Sequence, residues 1–250
     1  MKVFPVTQKV QSEMEGLSIY VLTIFPGLFE QFLRYGIVKR AIEKDLVSII
    51  VVNIRDVAYD KHKTVDDTPY GGGAGMVMKP DILAASLKST LPFREHRQPR
   101  VILLTPQGKR FDQSWANKLS LFNEIILICG RYRAIDERFR QLYVTDELSI
   151  GDYVLSGGEY ASMVVIDAII RLIPGVLNDF ESGIEDSFQN GLLDCPWYTK
   201  PEMFEGLRVP DVLLSGNHAD IKKWRQEQSV KNTRLRRPDL LKNSSDEVNE

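Results

Sequence analysis

Residues 149–159 read S-I-G-D-Y-V-L-S-G-G-E, and a little before them an apolar run ends in I-C-G-R-Y at residues 128–132. Both segments set glycines (Gly130, Gly151, Gly157, Gly158) beside apolar or aromatic residues, where strands would hand over to loops. Glycine there either permits φ > 0 or lets a flat ligand lie directly on the backbone. One such stretch alone is as readily a tight turn of an α/β protein as a site. Two of them, followed at once by a long apolar helix, point to a site. Neither is G-x-G-x-x-G or G-x-x-x-x-G-K-[ST], so the usual dinucleotide and phosphate fingerprints are missing. The expected ligand is held by backbone amides and carbonyls around a ring.

Outward from that stretch, strands alternate with helices. The run from Leu17 predicts a strand, stopped by Phe25-Pro26-Gly27, and a helix fits residues 28–44 on the spacing of Leu28, Phe32, Ile37 and Ala41. Residues 46–54 are rich in β-branched side chains and read as a buried strand. Residues 56–75 are too glycine-rich for an element, and a helix over 80–90 starts at Pro80, which suits a first turn. Strands follow at 101–104, closing on Pro106-Gln107-Gly108, and at 125–129. Residues 163–177 read as one buried helix ended by Pro174-Gly175. This alternation predicts an α/β fold with a largely parallel sheet covered on both faces.

The character changes after residue 177. Between Asp179 and Asp194 stand five carboxylates (Asp179, Glu181, Glu185, Asp186, Asp194) and no lysine or arginine, which reads as an exposed linker. Beyond Pro201 the pattern is short and helical, and from His218 to Lys242 eight Lys/Arg face three acids. The expected organisation is a disordered extension at 1–16, an α/β domain at 17–177 and a flexible acidic linker at 178–194. A basic helical domain at 195–243 and a polar tail at 244–250 complete it. Apolar content of 43% and charged content of 26% are ordinary for a soluble globular chain with a core. No secretory h-region and no run of membrane-spanning length stands out. Cys129 and Cys195 form no metal pattern with the three histidines and read as reduced thiols in a cytosolic protein.

Three groups of residues carry chemistry. The first is D-K-H-K-T-V-D-D-T-P-Y-G-G-G-A-G-M at 60–76, a loop long enough to be functional, though His62 alone is no sign of catalysis. The second is the basic stretch Lys222, Lys223, Arg225, Lys231, Arg234, Arg236 and Arg237, interleaved with Trp224 and Leu235. It is either a solvated helix face or a surface for a polyanion, nucleic acid first. The third is Arg171, four residues after Asp167 and flanked by Ile169, Ile170, Leu172 and Ile173. An ordinary intrahelical pair is one reading, and an arginine in use at the rim of a core is the other.

Together these stretches resemble the bacterial tRNA (guanine-N1)-methyltransferases, the TrmD family of the SPOUT class. The resemblance runs over about residues 17–241. Besides the segments at 60–76, 128–132 and 149–159, it is carried by T-P-Q-G at 105–108, I-D-E-R at 135–138, E-D-S-F at 185–188, G-L-L-D-C-P at 191–196 and R-R-P at 236–238. It implies a SPOUT-type α/β domain with a C-terminal trefoil knot followed by a small helical domain, in a cytoplasmic homodimer with each methyl-donor pocket at the subunit interface. It implies S-adenosylmethionine bound by the loops at 106–108, 130–132 and 150–158. The binding residues carried over are Pro106, Gly108, Gly130, Tyr132, Ile150, Gly151, Asp152, Tyr153, Val154, Leu155, Gly157 and Gly158.

By the same matching Asp186 is the general base and Arg171 its electrophilic partner. tRNA is the implied substrate, methylated at N1 of the guanine at position 37. His62, Asp66, Lys222, Lys223, Arg225, Arg234, Arg236 and Arg237 are expected to contact it. Arg133-Ala134 stands where most members have Glu-Gly, and the reversed charge weighs against the magnesium ion the family is thought to use. Ala161 and Trp197 replace a frequent proline and histidine. An RNA-binding protein of this fold with lost or altered activity is the alternative, which Arg133 favours and Asp186 and Arg171 oppose.

Overall fold

A computed structural model describes residues 16–90, 99–177 and 186–241. Residues 1–15 of the extension expected at 1–16, the first part of the acidic linker at 178–185 and the tail at 244–250 lie outside the described residues. The chain divides into two compact units, Met1–Asn178 and Asp179–Glu250.

In the first unit, β1 (Leu17–Thr23), β2 (Val47–Asn53), β5 (Arg100–Arg110), β6 (Glu124–Cys129) and β8 (Asp146–Ser149) form a sheet in the order β2-β1-β6-β5-β8. Every neighbouring pair is parallel. The near-continuous apolar strands follow from this, because successive side chains point to opposite faces and both faces are covered. Leu17, Ile19, Val21, Ile125 and Leu127 go to one face, under Val165, Ile166, Ile169 and Ile170 of α6 (Glu159–Ile170). Tyr20, Leu22, Ile126 and Ile128 go to the other, under Ile82, Leu83 and Leu87 of α3 (Pro80–Thr90) and Phe139 of α5 (Glu137–Tyr143). Truncating one of these side chains to alanine costs about 2–5 kcal/mol.

Several elements differ from the sequence reading. The helix expected at 28–44 is two, α1 (Phe29–Phe32) and α2 (Gly36–Glu43), because Tyr35 is extended and Gly36 sits at φ +63°. β2 is an edge strand, half-buried beyond Val47, rather than a buried one. α6 begins at Glu159 and ends at Ile170, so Pro174-Gly175 lies in the turns beyond it. The segment at 56–75 is not without structure: it holds a 3-10 turn ending at Val57 and the strand β3 (Asp66–Asp67). β3 pairs with β4 (Val77–Met78), which pairs with β7 (Ala134–Ile135). α4 (Gln113–Ser120), α5 and β8 are additions to the elements read from sequence.

The second unit carries an antiparallel hairpin, β9 (Met203–Phe204) with β10 (Leu207–Arg208), where only helix was expected. A short helix at Asp211–Leu214 precedes the long one at His218–Arg236. Asn217 caps the long helix, its side-chain oxygen accepting from the N–H of Ala219 at 3.1 Å. Arg234 and Arg236 in the last turn match the negative end of the helix dipole. Thr233, fully buried, accepts from the Leu193 N–H at 2.8 Å and so ties residues 193–197 to this helix. Among the described residues no helix is long and apolar enough to cross a membrane.

Candidate active site

In a parallel sheet, ligands bind beyond the carboxyl ends of the strands. Here the ends of β6 and β8 converge with a bulge inside β5. β5 pairs with β8 through Leu104 and again through Lys109, both opposite Leu148, so residues 105–108 bulge out of the ladder. The strand expected to stop at 104 therefore resumes after the bulge. β6 ends at Cys129, and Gly130 follows; β8 ends at Ser149, and residues 150–158 follow. The three segments wall a cavity of about 210 Å³.

Of the residues proposed for a donor, Pro106, Gly130, Tyr132, Ile150, Gly151, Tyr153, Val154, Leu155, Gly157 and Gly158 line this cavity, with Leu103, Ile135, Leu148 and Ala161 as apolar wall. Gly108 and Asp152 are not in the lining. Gly108 has a packing reason instead: a Cβ there would lie 2.4 Å from the Leu148 nitrogen.

The second and third segments are stapled together. The Gly158 N–H donates to the Gly130 carbonyl at 3.0 Å, and Arg131 and Gly157 form an isolated bridge. A Cβ on Gly158 would meet Cys129 Cα at 2.8 Å, so this approach needs glycine. Arg131 donates from Nε to Glu159 Oε2 at 2.9 Å and from Nη1 to the Ser156 carbonyl at 3.2 Å. Thr23 Oγ1 donates to the other Glu159 oxygen at 2.9 Å, and the Arg131 guanidinium lies 4.6 Å from the Phe25 ring centroid. Sequence reasoning assigned Arg131 and Glu159 no role. Their signal was position: an arginine directly after Gly130 and an acid directly after Gly157-Gly158, each beside an apolar run.

Tyr132 occupies the left-handed region at φ +61°, a rare and costly place for an aromatic residue. Its hydroxyl accepts from Arg55 Nη2 at 3.5 Å and bonds Asp66. Burial first, and the Asp66 carboxylate second, push the phenol above its ordinary range, so it stays protonated and donates to Asp66. Asp66 thereby joins the loop at 60–76 to the cavity wall. Arg133 binds the same loop, donating from its main chain to Met76 O and from Nη1 to Ala74 O, both at 3.0 Å. His62 is exposed, and its backbone N–H donates to Asp60 at 3.1 Å.

The acids of the wall are matched by arginines. Arg140 bonds Glu137, through Nε at 2.6 Å and through Nη2, and reaches Glu147 at 2.5 Å. Arg140 holds the Glu137 carboxyl down to about 2. Glu159 is taken by Arg131 and Thr23. Among the described residues no group of three or more His, Cys, Asp or Glu is placed to hold a metal.

Arg171 caps the C-terminus of α6, half-buried, its N–H donating to the Asp167 carbonyl at 3.3 Å. It therefore ends the helix rather than lying within it, where the helix dipole favours a cation. Asp186 belongs to the second unit, half-buried at the start of a turn over residues 186–191. In the same unit Lys222, Lys223, Arg234 and Arg236 are exposed on the long helix. Arg225 stacks on Trp197 at 4.3 Å, and Arg237 is paired with Asp239 at 2.7 Å.

The sequence profile of the family described as tRNA (Guanine-1)-methyltransferase TrmD matches residues 17–243. A tRNA (guanine-N(1)-)-methyltransferase of Anoxybacillus flavithermus is 55% identical over 225 residues, covering 90% of this chain and 91% of that protein. The protein of that name from Clostridioides difficile is 50% identical over 92% of this chain and all of its own length. That from Geobacter sulfurreducens is 53% identical over 88% of this chain and 89% of its own. The chain belongs to the tRNA (guanine-1)-methyltransferase TrmD family.

Proposed function

We propose that this protein transfers the methyl group of S-adenosylmethionine to N1 of the guanine at tRNA position 37. The observation that carries the reading is the cavity walled by the bulge within β5 and the segments after β6 and β8, in a chain of this family. Its lining fits the donor: glycine backbone at Gly130, Gly157 and Gly158 lies beside apolar Leu103, Ile135, Leu148 and Ile150, and no phosphate loop is present. S-adenosylmethionine, when bound, supplies a methyl group on a positively charged sulfur. The residues that hold it are those of the three loops, with Tyr132, Tyr153 and Leu155 closing over backbone.

With the methyl group already activated, the protein needs no covalent nucleophile. Guanine N1 carries a proton at neutral pH and attacks poorly until it is lost. Asp186 takes that proton, and Arg171 stabilises the negative charge that grows on O6. The target base leaves its stack to reach these groups. Lys222, Lys223, Arg234 and Arg236 hold the tRNA through phosphates. His62 and Asp66 lie on the loop at 60–76, and Asp66 serves the RNA through Tyr132. The fold is completed as a trefoil knot, and the working unit is a cytoplasmic homodimer with each donor pocket at the subunit interface. Domains at 17–177 and 195–243, joined by the linker at 178–194, divide donor and RNA binding between them.

Calorimetric titration with S-adenosylmethionine, ATP and NAD tests the pocket. Saturable binding of the sulfonium compound alone is expected. Tight ATP binding with none of S-adenosylmethionine would contradict the reading.

A further inference from the structure

Trp197 is 59% exposed, yet it is held in place. Its indole N–H donates to Asp194 Oδ2 at 2.6 Å, and the other oxygen of Asp194 accepts from the Cys195 N–H at 2.6 Å. Asp194 is itself fixed to the long helix, where Asn232 Nδ2 donates to its carbonyl at 3.0 Å. One face of the indole is covered by the Arg225 guanidinium, 4.3 Å from the ring centroid. A tryptophan whose edge and one face are both engaged keeps one orientation. What remains open is the other face.

The surroundings decide what suits that face. A hollow of about 400 Å³ adjoins the ring, walled by Tyr198, Lys200, Val209, Leu213 and Ile221 and by Glu202, whose charge is matched by Arg208 at 2.9 Å. Tyr198 meets Trp224 at a centroid distance of 6.3 Å. The helix His218–Arg236 that supplies Arg225 carries six Lys/Arg against two acids. Aromatic platforms set in basic surface are the pattern by which proteins take unstacked bases of single-stranded RNA, because stacking is indifferent to phosphate while the cations hold the backbone. An apolar protein partner would not call for the cationic border.

We propose that the free face of Trp197 stacks on an unpaired nucleobase of the tRNA, with Arg225 backing the ring and Asp194 fixing its plane. The proposal rests on tRNA being the substrate and adds a second contact to it, separate from the donor cavity. Arg225 thus acts through Trp197 rather than as a phosphate contact.

The test is a titration of wild type, Trp197→Ala and Trp197→Phe with unmodified tRNA, read by filter binding and by tryptophan emission, at several salt concentrations. Trp197→Ala is expected to weaken binding by about 5- to 150-fold, the range of one lost base stack. Trp197→Phe keeps most of the affinity. The slope of log K against log salt stays the same in both, because no phosphate contact is lost. Wild-type emission is quenched by tRNA, and Trp197→Phe, which retains Trp115 and Trp224, loses most of that quench. Should the alanine variant misfold, the phenylalanine variant and the quench still decide.

Wild-type affinity in Trp197→Ala, or an undiminished quench in Trp197→Phe, would overturn the proposal. So would a change of oligomeric state in Trp197→Ala at unaltered tRNA affinity, which would assign the face to a second copy. A wild type that methylates tRNA while Trp197→Ala binds equally well sinks the stacking contact alone. A wild type that neither binds nor methylates tRNA sinks the proposed function first.

Discussion

Arg131, in the loop after β6, and Glu159, the first residue of α6, meet at 2.9 Å in the interior of the first unit, the glutamate wholly shielded from water and the arginine side chain 17% exposed. The pair joins the end of β6 to the start of α6, and Thr23 at the end of β1 completes it. A carboxylate so placed is tolerated only because all its partners are present. Two strand ends and the start of a helix are thus held to one another beside the cavity that Arg131 lines.

Removing one partner of such a pair leaves an uncompensated buried charge. Arg131→Ala is expected to lower stability by about 3–5 kcal/mol in urea unfolding, whereas replacing both residues by apolar ones of similar size recovers much of it. Donor affinity falls with the single change, because the two loops lose their staple. A loss below about 1 kcal/mol would show that water reaches Glu159.

Glycines of the wall separate into two kinds. Gly158→Ala brings a methyl group to 2.8 Å from Cys129 Cα, a main-chain atom that has no room to move, so it is expected to destabilise and to weaken donor binding. At Gly130 the same methyl meets Ile135 at 3.6 Å, Leu103 at 3.8 Å and the Leu104 carbonyl oxygen at 4.0 Å, all ordinary contact distances. Gly130→Ala is expected to fold with near wild-type melting temperature. Equal melting temperatures for the two variants would contradict this division.

The strands were legible where both faces are buried, since Leu17–Thr23 and Glu124–Cys129 are almost unbroken apolar runs. Pro80 marked the helix start correctly. The failures have local causes. Gly36 at positive φ cuts a helix whose apolar spacing runs on through it. The bulge at 105–108 hides a strand that resumes at Lys109, and β8 is short and polar at its start. The loops of the site stood out by their glycines, but the Arg131–Glu159 staple did not. A charge pair far apart in sequence leaves no periodicity, and only the fold brings it together. The bond from Arg133 to Ala74 was invisible for the same reason.

On the long helix, Arg234 and Arg236 are exposed, whereas Arg237 is already paired with Asp239. Replacing Arg234 and Arg236 by glutamate is expected to weaken tRNA binding and flatten its salt dependence, with donor affinity unchanged. Arg237→Gln, by contrast, changes tRNA affinity little. Filter binding between low and physiological salt checks both, and an unaltered slope in the double variant would make this helix a solvated face only.

Burial first, and the neighbouring Asp194 carboxylate second, push the Cys195 thiol up to about 11. With the folded value raised above the ordinary one, the protonated thiol stabilises the fold below about pH 8.5, and that contribution is lost as pH rises through the folded value. Alkylation of native protein is therefore expected to be slow at pH 8 and to accelerate steeply towards pH 10 and above. Asp194→Asn should shift the profile to lower pH. Rapid modification of Cys195 at pH 8 in the folded protein would contradict its burial.

The most direct test is single-turnover methyl transfer from S-adenosylmethionine to unmodified tRNA, with the product nucleoside identified and its position mapped, for wild type and Asp186→Asn. The substitution keeps size and polarity but cannot take the N1 proton. Expected are 1-methylguanosine at position 37 with wild type and a rate lower by about 10²- to 10⁴-fold with Asp186→Asn, at nearly unchanged donor affinity. A methyl group on another base, or an equal rate in the variant, would contradict the account.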